Sequence, residues 1–278
     1  FDVRPSLKRI RVEGMYLDEQ ELFDLRRSLE TIRDIVRFLQ KSDDDEEEGT
    51  SPYPCLKRLA GDITVFPQLI AKINGILSPY GKIKDNASTE LARIRRELAS
   101  TMGSISRSLN SILRNAQSEG VVDKDVTPTM RDGRLVIPVA PALKRKIRGI
   151  VHDESASGKT VFIEPAEVVE ANNRIRELEG DERREIIRIL TGFSNQLRPS
   201  IPDVLLSYEF LAEIDFIRAK ALFAEQISGL KPALENKQLL DWTMAVHPLL
   251  QLSLAKHGKK VVPLDIELNE KQRILIIS

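Results

Sequence analysis

The chain has 278 residues, 41% hydrophobic and 30% charged, enough apolar material for one large or two modest globular domains. Lysine plus arginine and aspartate plus glutamate both number 42, so no global positive field draws the chain to nucleic acid or anionic lipid, and such binding falls to local patches. A single cysteine, Cys55, excludes an internal disulfide framework and cysteine-rich zinc sites and suits a reduced cytosolic protein, and no apolar run approaches the ~18 residues of a membrane span. The start on Phe1 and the apolar run at 274–277 read as the ends of a segment cut from a longer protein.

In chain order, residues 18–41 carry Leu22, Leu25, Leu29, Ile32, Ile35, Val36 and Leu39 at steps of three and four, one face of a helix that Asp18 and Glu21 cap. The acids at 43–48 repel one another and predict a solvated loop rather than a metal site. A second helix is expected at 68–77, and a long one from Asn86 or Ser88 to about Gln117. The period then becomes alternating. Asp132-Gly133 between 126–131 and 134–139 predicts a β-hairpin, and 146–152 with 160–163 flank a second. Pro165 opens a helix to about Arg198, roughly 50 Å long, whose charged middle at 179–188 is expected to project into solvent. Ser200, Ile201 and Pro202 are expected to turn the chain so that 203–228 returns as the second limb of an antiparallel helical arm. After Gly229 and Pro232, segments 239–246, 261–268 and 273–277 read as strands of another domain. The fold class is mainly α with a small antiparallel β-sheet, partitioned into a helical core at 1–125, hairpins at 126–165, lever helices at 166–232 and strands of a truncated domain at 233–278.

One tetrapeptide invites a chemical reading. Ser157-Gly158-Lys159-Thr160 looks like the tail of a phosphate-binding loop, which needs a glycine five residues before Gly158 and a helix after the lysine. Asp153 stands at the first position, and Thr160, Val161, Phe162 and Ile163 favour a strand. A hairpin turn is therefore expected, with Gly158 at positive φ and Lys159 in solvent. His152 and Asp153 could pair as a base and its orienting acid, but no nucleophile accompanies them, and a hydrogen-bonding role within the hairpin is preferred. His247 is read as a packed or capping residue and His257 as exposed, so no metal centre is expected. Lys144, Arg145, Lys146 and Arg148 form the best local candidate for phosphate contact. Arg183 and Arg184 are a second candidate, on a helix whose arginines also alternate with glutamates and can pair with them.

The stretches RDGRLVIPV (131–139), GIVHDESASGKTVFIEP (149–165), EANNRIRELEGDERREIIRIL (170–190) and VVPLDIEL (261–268) resemble the MutS-like family in its second bacterial branch, whose members suppress recombination. The resemblance covers essentially the whole chain. It implies the core and lever region of a bacterial, cytoplasmic ATPase that acts on branched or mismatched DNA as a homodimer, with ATP, Mg2+ and any nuclease domain beyond Ser278. The segment itself is then non-catalytic, holds no cofactor and is itself monomeric. Val261, Val262, Pro263 and Asp265 are implied to flank the nucleotide site, and the helix at 203–228 to relay motion. A ribosome- or protein-interaction module without DNA contact is the alternative.

Overall fold

The structure, a computed structural model, describes residues 2–41 and 52–276. The acidic run at 43–48 lies outside the described residues. Contacts divide the chain into two units, Phe1–Tyr208 and Glu209–Ser278.

The first unit contains helices α1 (Arg4–Arg9), α2 (Glu19–Gln40), α3 (Pro54–Leu59), α4 (Pro67–Ile76) and α5 (Thr89–Ser118). Strands β1 (Thr129–Arg131), β2 (Arg134–Val139), β3 (Gly149–Glu154) and β4 (Val161–Pro165) follow, then helix α6 (Val169–Leu197) and the first turns of α7 (Ile201–Gln226). The expected capping box opens α2: the Asp18 carboxylate accepts from the Glu21 amide at 2.8 Å, and Glu21 accepts from the Asp18 amide at 3.0 Å. Ser88 caps α5, accepting from the Leu91 amide at 3.0 Å.

Two apolar cores form within this unit. In one, Leu22, Leu25 and Leu29 of α2 meet Ile70 and Ile73 of α4, Leu91 of α5, and Leu190, Phe193 and Leu197 of α6. In the other, Ile105, Leu109 and Leu113 of α5 lie under Ile137 and Val139 of β2, Val161 and Ile163 of β4, and Ile175 of α6. The 30 residues of α5, about 45 Å of helix, run from the first core to the second, and α6 runs back beside them. Cross-links fix that antiparallel register: Ser88 to Glu185 at 2.5 Å, Arg95 to Glu182 at 2.7 Å and Arg174 to Glu97 at 2.6 Å.

Two expectations about the arm change. The chain does not reverse at Ser200–Pro202: Arg198 (φ −48°, ψ −47°) and Ile201 (φ −55°, ψ −44°) are both helical, and a single 3-10 turn at Arg198–Ser200 joins α6 to α7. Pro202 sits in the first turn of α7, where a missing amide hydrogen costs nothing. The antiparallel partner of α6 is therefore α5. Nor does the middle of α6 stand free in solvent, since Leu178 and Glu185 are buried and Glu182 reaches across to α5.

The sheet has the order β1-β2-β4-β3 with every pair antiparallel. Asp132 (φ 47°) and Gly133 (φ 73°) both take positive φ, the mirror-image two-residue turn whose twist matches its strands. Residues 141–146, whose end was expected to begin a strand, form a 3-10 helix (Pro141–Lys146), and β3 starts only at Gly149. Pro141 sets the φ of its first turn. Pro165 closes β4, and a 3-10 turn at Ala166–Val168 separates it from α6.

In the second unit, β5 (Leu240–Ala245) pairs antiparallel with β6 (Leu264–Leu268), and α8 (Pro248–Ala255) lies between them in sequence. No helix was expected there. His247 caps it, Nδ1 accepting from the Leu250 amide at 3.3 Å, with Pro248 in the first turn. Residues 273–276 form no strand. Trp242, Leu249, Val262 and Ile274 are exposed in this unit.

Candidate functional site

Residues 149–165 fold as strand, turn and strand. The Gly158 amide donates to Ser155 O at 2.8 Å, the Ser155 amide to Thr160 O at 2.8 Å, and the Thr160 amide to Ser155 Oγ at 3.1 Å. Gly158 has φ 68° and Lys159 is exposed, as the sequence predicts. The turn does not fit a nucleotide phosphate: the Gly158 and Thr160 amides bond within the hairpin, and β4, not a helix, follows Lys159.

Beneath this hairpin lies a buried polar cluster that sequence reasoning did not assemble. His152 turns to Glu164 rather than to Asp153. The reason is a β-bulge: Val151 pairs with Ile163 and Asp153 with Phe162, leaving His152 as the extra residue and re-aiming its side chain. His152 Nε2 hydrogen-bonds the Glu164 carboxylate, whose side chain is 0% exposed. Arg134 Nη1 donates to the same carboxylate at 2.6 Å and Asn172 Nδ2 at 2.7 Å. Burial pushes the pKa of Glu164 up, but the hydrogen bonds from Asn172, His152 and Arg134, with the charge of Arg134, outweigh it and hold the group below the ordinary carboxylate value. Asn172 also exchanges bonds with the Leu135 backbone, and Arg176 donates to the carbonyl of Asp132. The cluster thus bolts both hairpins to the start of α6. Asp153 instead lies 3.9 Å from Arg131, at the surface.

The basic candidates lie beside this bolted sheet. Lys144, Arg145 and Lys146 sit on the 3-10 turn and Arg148 just before β3, all exposed. Lys146 and Arg148 line a shallow groove of about 270 Å3 with Asn115 and Glu167. A second groove of about 300 Å3 adjoins it at Asn115 and adds Arg107, Asn110, Ser111 and Arg114 of α5. Arg107 and Arg114, seven residues apart on one helix face, were the available signal for this extension. Together the two grooves carry four cations, Lys146, Arg148, Arg107 and Arg114, and several neutral donors, with the carboxylates of Glu119 and Glu167 on the same lining. Arg183 and Arg184 do not join them: they lie about 21 Å along α6 from its start at Val169, beside Glu167. Arg183 is exposed, and Arg184 pairs with Asp181 at 2.5 Å.

In the second unit, Val261, Val262 and Pro263 precede β6, and Asp265 accepts from the Met244 amide at 2.6 Å, pinning the bulge of β5. Among the described residues no group of three His, Cys, Asp or Glu could hold a metal, and no helix is long and apolar enough to cross a membrane.

No family model matches the chain. It is 36% identical over 277 residues to the endonuclease MutS2 of Pelotomaculum thermopropionicum, covering 100% of this chain and 33% of that protein. To the endonuclease MutS2 of Finegoldia magna it is 36% identical over 278 residues, 100% of this chain and 34% of the relative. The chain thus spans about one third of the length of the curated relatives it matches. Along its whole length, this chain is MutS-like, of the second bacterial branch.

Proposed function

We propose that this chain is the non-catalytic core and lever of a MutS-like, DNA-processing ATPase that works on branched or mismatched DNA and restrains homologous recombination. The observation that carries this reading is the pair of long helices, α5 and α6, cross-linked along their length, with a helical core at one end and a bolted β-sheet edged by cations at the other. A rod of this kind transmits displacement, because its register cannot change without breaking buried and charged contacts together. The relatives' name supports a nuclease among the activities of the whole protein. ATP and Mg2+ are assigned to the whole protein, outside the Ser157–Thr160 turn, and so is the homodimer.

The test is titration of the 278-residue chain with four-way junction DNA, linear duplex and ribosomes at several salt concentrations. The proposal expects junction and duplex binding that weakens steeply with salt. Replacing Lys144 and Lys146 by alanine should lower the slope of log affinity against log salt by about 2, because each cation releases about one counterion. Binding to ribosomes alone, or DNA binding with an unchanged slope in the variant, contradicts it. Ribosome-only binding would instead favour the interaction-module reading.

A further inference from the structure

We propose that the joint between α6 and α7 is a hinge, and that α1 with the loop to Leu17 is a splint that holds it shut. The device stands on the geometry of the joint, independently of any nucleic-acid role. Residues 198–202 read Arg-Pro-Ser-Ile-Pro, so two of these five positions have no amide hydrogen to donate along the helix. The Arg198 amide still reaches Ser194 O, but the Ile201 amide closes only a 3-10 turn onto Arg198 O. Set between helices of 29 and 26 residues, that turn is the weakest stretch of their common backbone ladder.

What the backbone lacks here, residues 2–17 supply. Arg198 Nε donates to Ile10 O at 2.7 Å, and Nη2 donates to Val12 O at 3.1 Å and Met15 O at 3.2 Å. The remaining bond, from Nη1, returns to Asn195 Oδ1 on α6. The Leu17 amide donates to Ser194 Oγ at 3.0 Å, and Ser194 is fully buried. Burial pushes the pKa of Tyr208, on the α7 side, up to about 12, and the nearby charges of Asp2 and Arg4 add smaller effects. One end of α1 therefore lies by Tyr208 and the other by Arg198, so the short helix bridges the joint. Val3, Leu7 and Ile10 share an apolar core with Leu197, Ile201, Val204 and Tyr208. The grip on Arg198 is separable from that core, because residues 11–15 are exposed and offer the guanidinium only their carbonyls.

Hydrogen exchange of the 278-residue chain, read by mass spectrometry on segments 10–17, 200–208 and 22–36, tests this. Arg198→Ala should speed exchange in the first two segments by about tenfold or more and leave 22–36, in α2, within about twofold. Gly14→Val is a second handle. A Cβ at Gly14 meets nothing within 4 Å, so this change strains only the loop backbone, whose φ is 86°, and should produce the same local opening. Replacing Pro199 and Pro202 by alanine in the Arg198→Ala chain returns the two missing donors, so exchange at 200–208 should slow again toward wild type. Exchange that ignores both Arg198→Ala and Gly14→Val overturns the hinge. So does equal acceleration of all three segments in Gly14→Val, which would be a loss of global stability, and so does a proline-free chain that stays fast.

Discussion

Glu164 shows how one buried charge can organise a local fold. Its carboxylate receives hydrogen bonds from β2, β3 and α6, so removing the charge leaves Arg134 and His152 without their common partner. Glu164→Gln should destabilise the chain by about 2–4 kcal/mol, read by urea unfolding near neutral pH. Its pH dependence has a definite sign. The folded-state pKa lies below the unfolded one, so the contribution is complete above about pH 5 and is lost as pH falls through the folded value. The stability gap between wild type and Glu164→Gln should therefore narrow between about pH 5 and pH 3; a gap that is constant or widening there contradicts the network. Gly149 gives a steric counterpart. A Cβ at this position would stand 2.1 Å from the carbonyl oxygen of Glu164, so Gly149→Ala must shift the β3–β4 pair and should cost at least about 2 kcal/mol. Unchanged stability would mean that the close approach is wrong. Asp132-Gly133 and Gly158 were legible in the sequence because a turn advertises itself by residues that tolerate positive φ. The partner of His152 was not legible, because a single-residue bulge leaves no mark on an otherwise alternating pattern.

Among the elements, the helices with an apolar stripe were readable and their partners were not. The face through Leu22, Leu25 and Leu29 and the one through Leu91, Ile105 and Leu109 follow directly from their spacing. The supposed turn at Ser200–Pro202 failed because proline is as acceptable in the first turn of a helix as between helices, and only the backbone angles separate the two cases. The charged stretch at 179–188 misled for a related reason: a helix whose charges are answered by its neighbour looks, in sequence, like one that faces water. The consequence is measurable. Arg95 and Glu182, both about one quarter exposed at 26%, should show a coupling of about 0.5–1 kcal/mol in a double-mutant cycle of unfolding free energies. Zero coupling would mean that this pair does not help to hold the α5–α6 register. The basic groove was half legible: Lys144 to Arg148 are adjacent in sequence, whereas Arg107 and Arg114 reach them only through packing.

For the whole molecule, the proposed role is mechanical: the β-sheet and the helical core at the two ends of α5 and α6 would move as one body, so that a ligand held at one end would change chemistry performed elsewhere in the full-length protein. A continuous helix makes that possible, since α6 passes through one 3-10 turn into α7 without a break in helical geometry. Two glycines placed between Gly180 and Asp181 would offset the two halves of α6 by about 200° and soften the helix between them, breaking the pairing with α5 while substituting no residue of either core. The decisive measurement is the stimulation of ATP turnover by junction DNA in the full-length protein carrying this insertion. The expected result is that basal turnover and DNA affinity each persist while DNA no longer changes the turnover rate. Stimulation equal to that of the uninterrupted protein would contradict the lever.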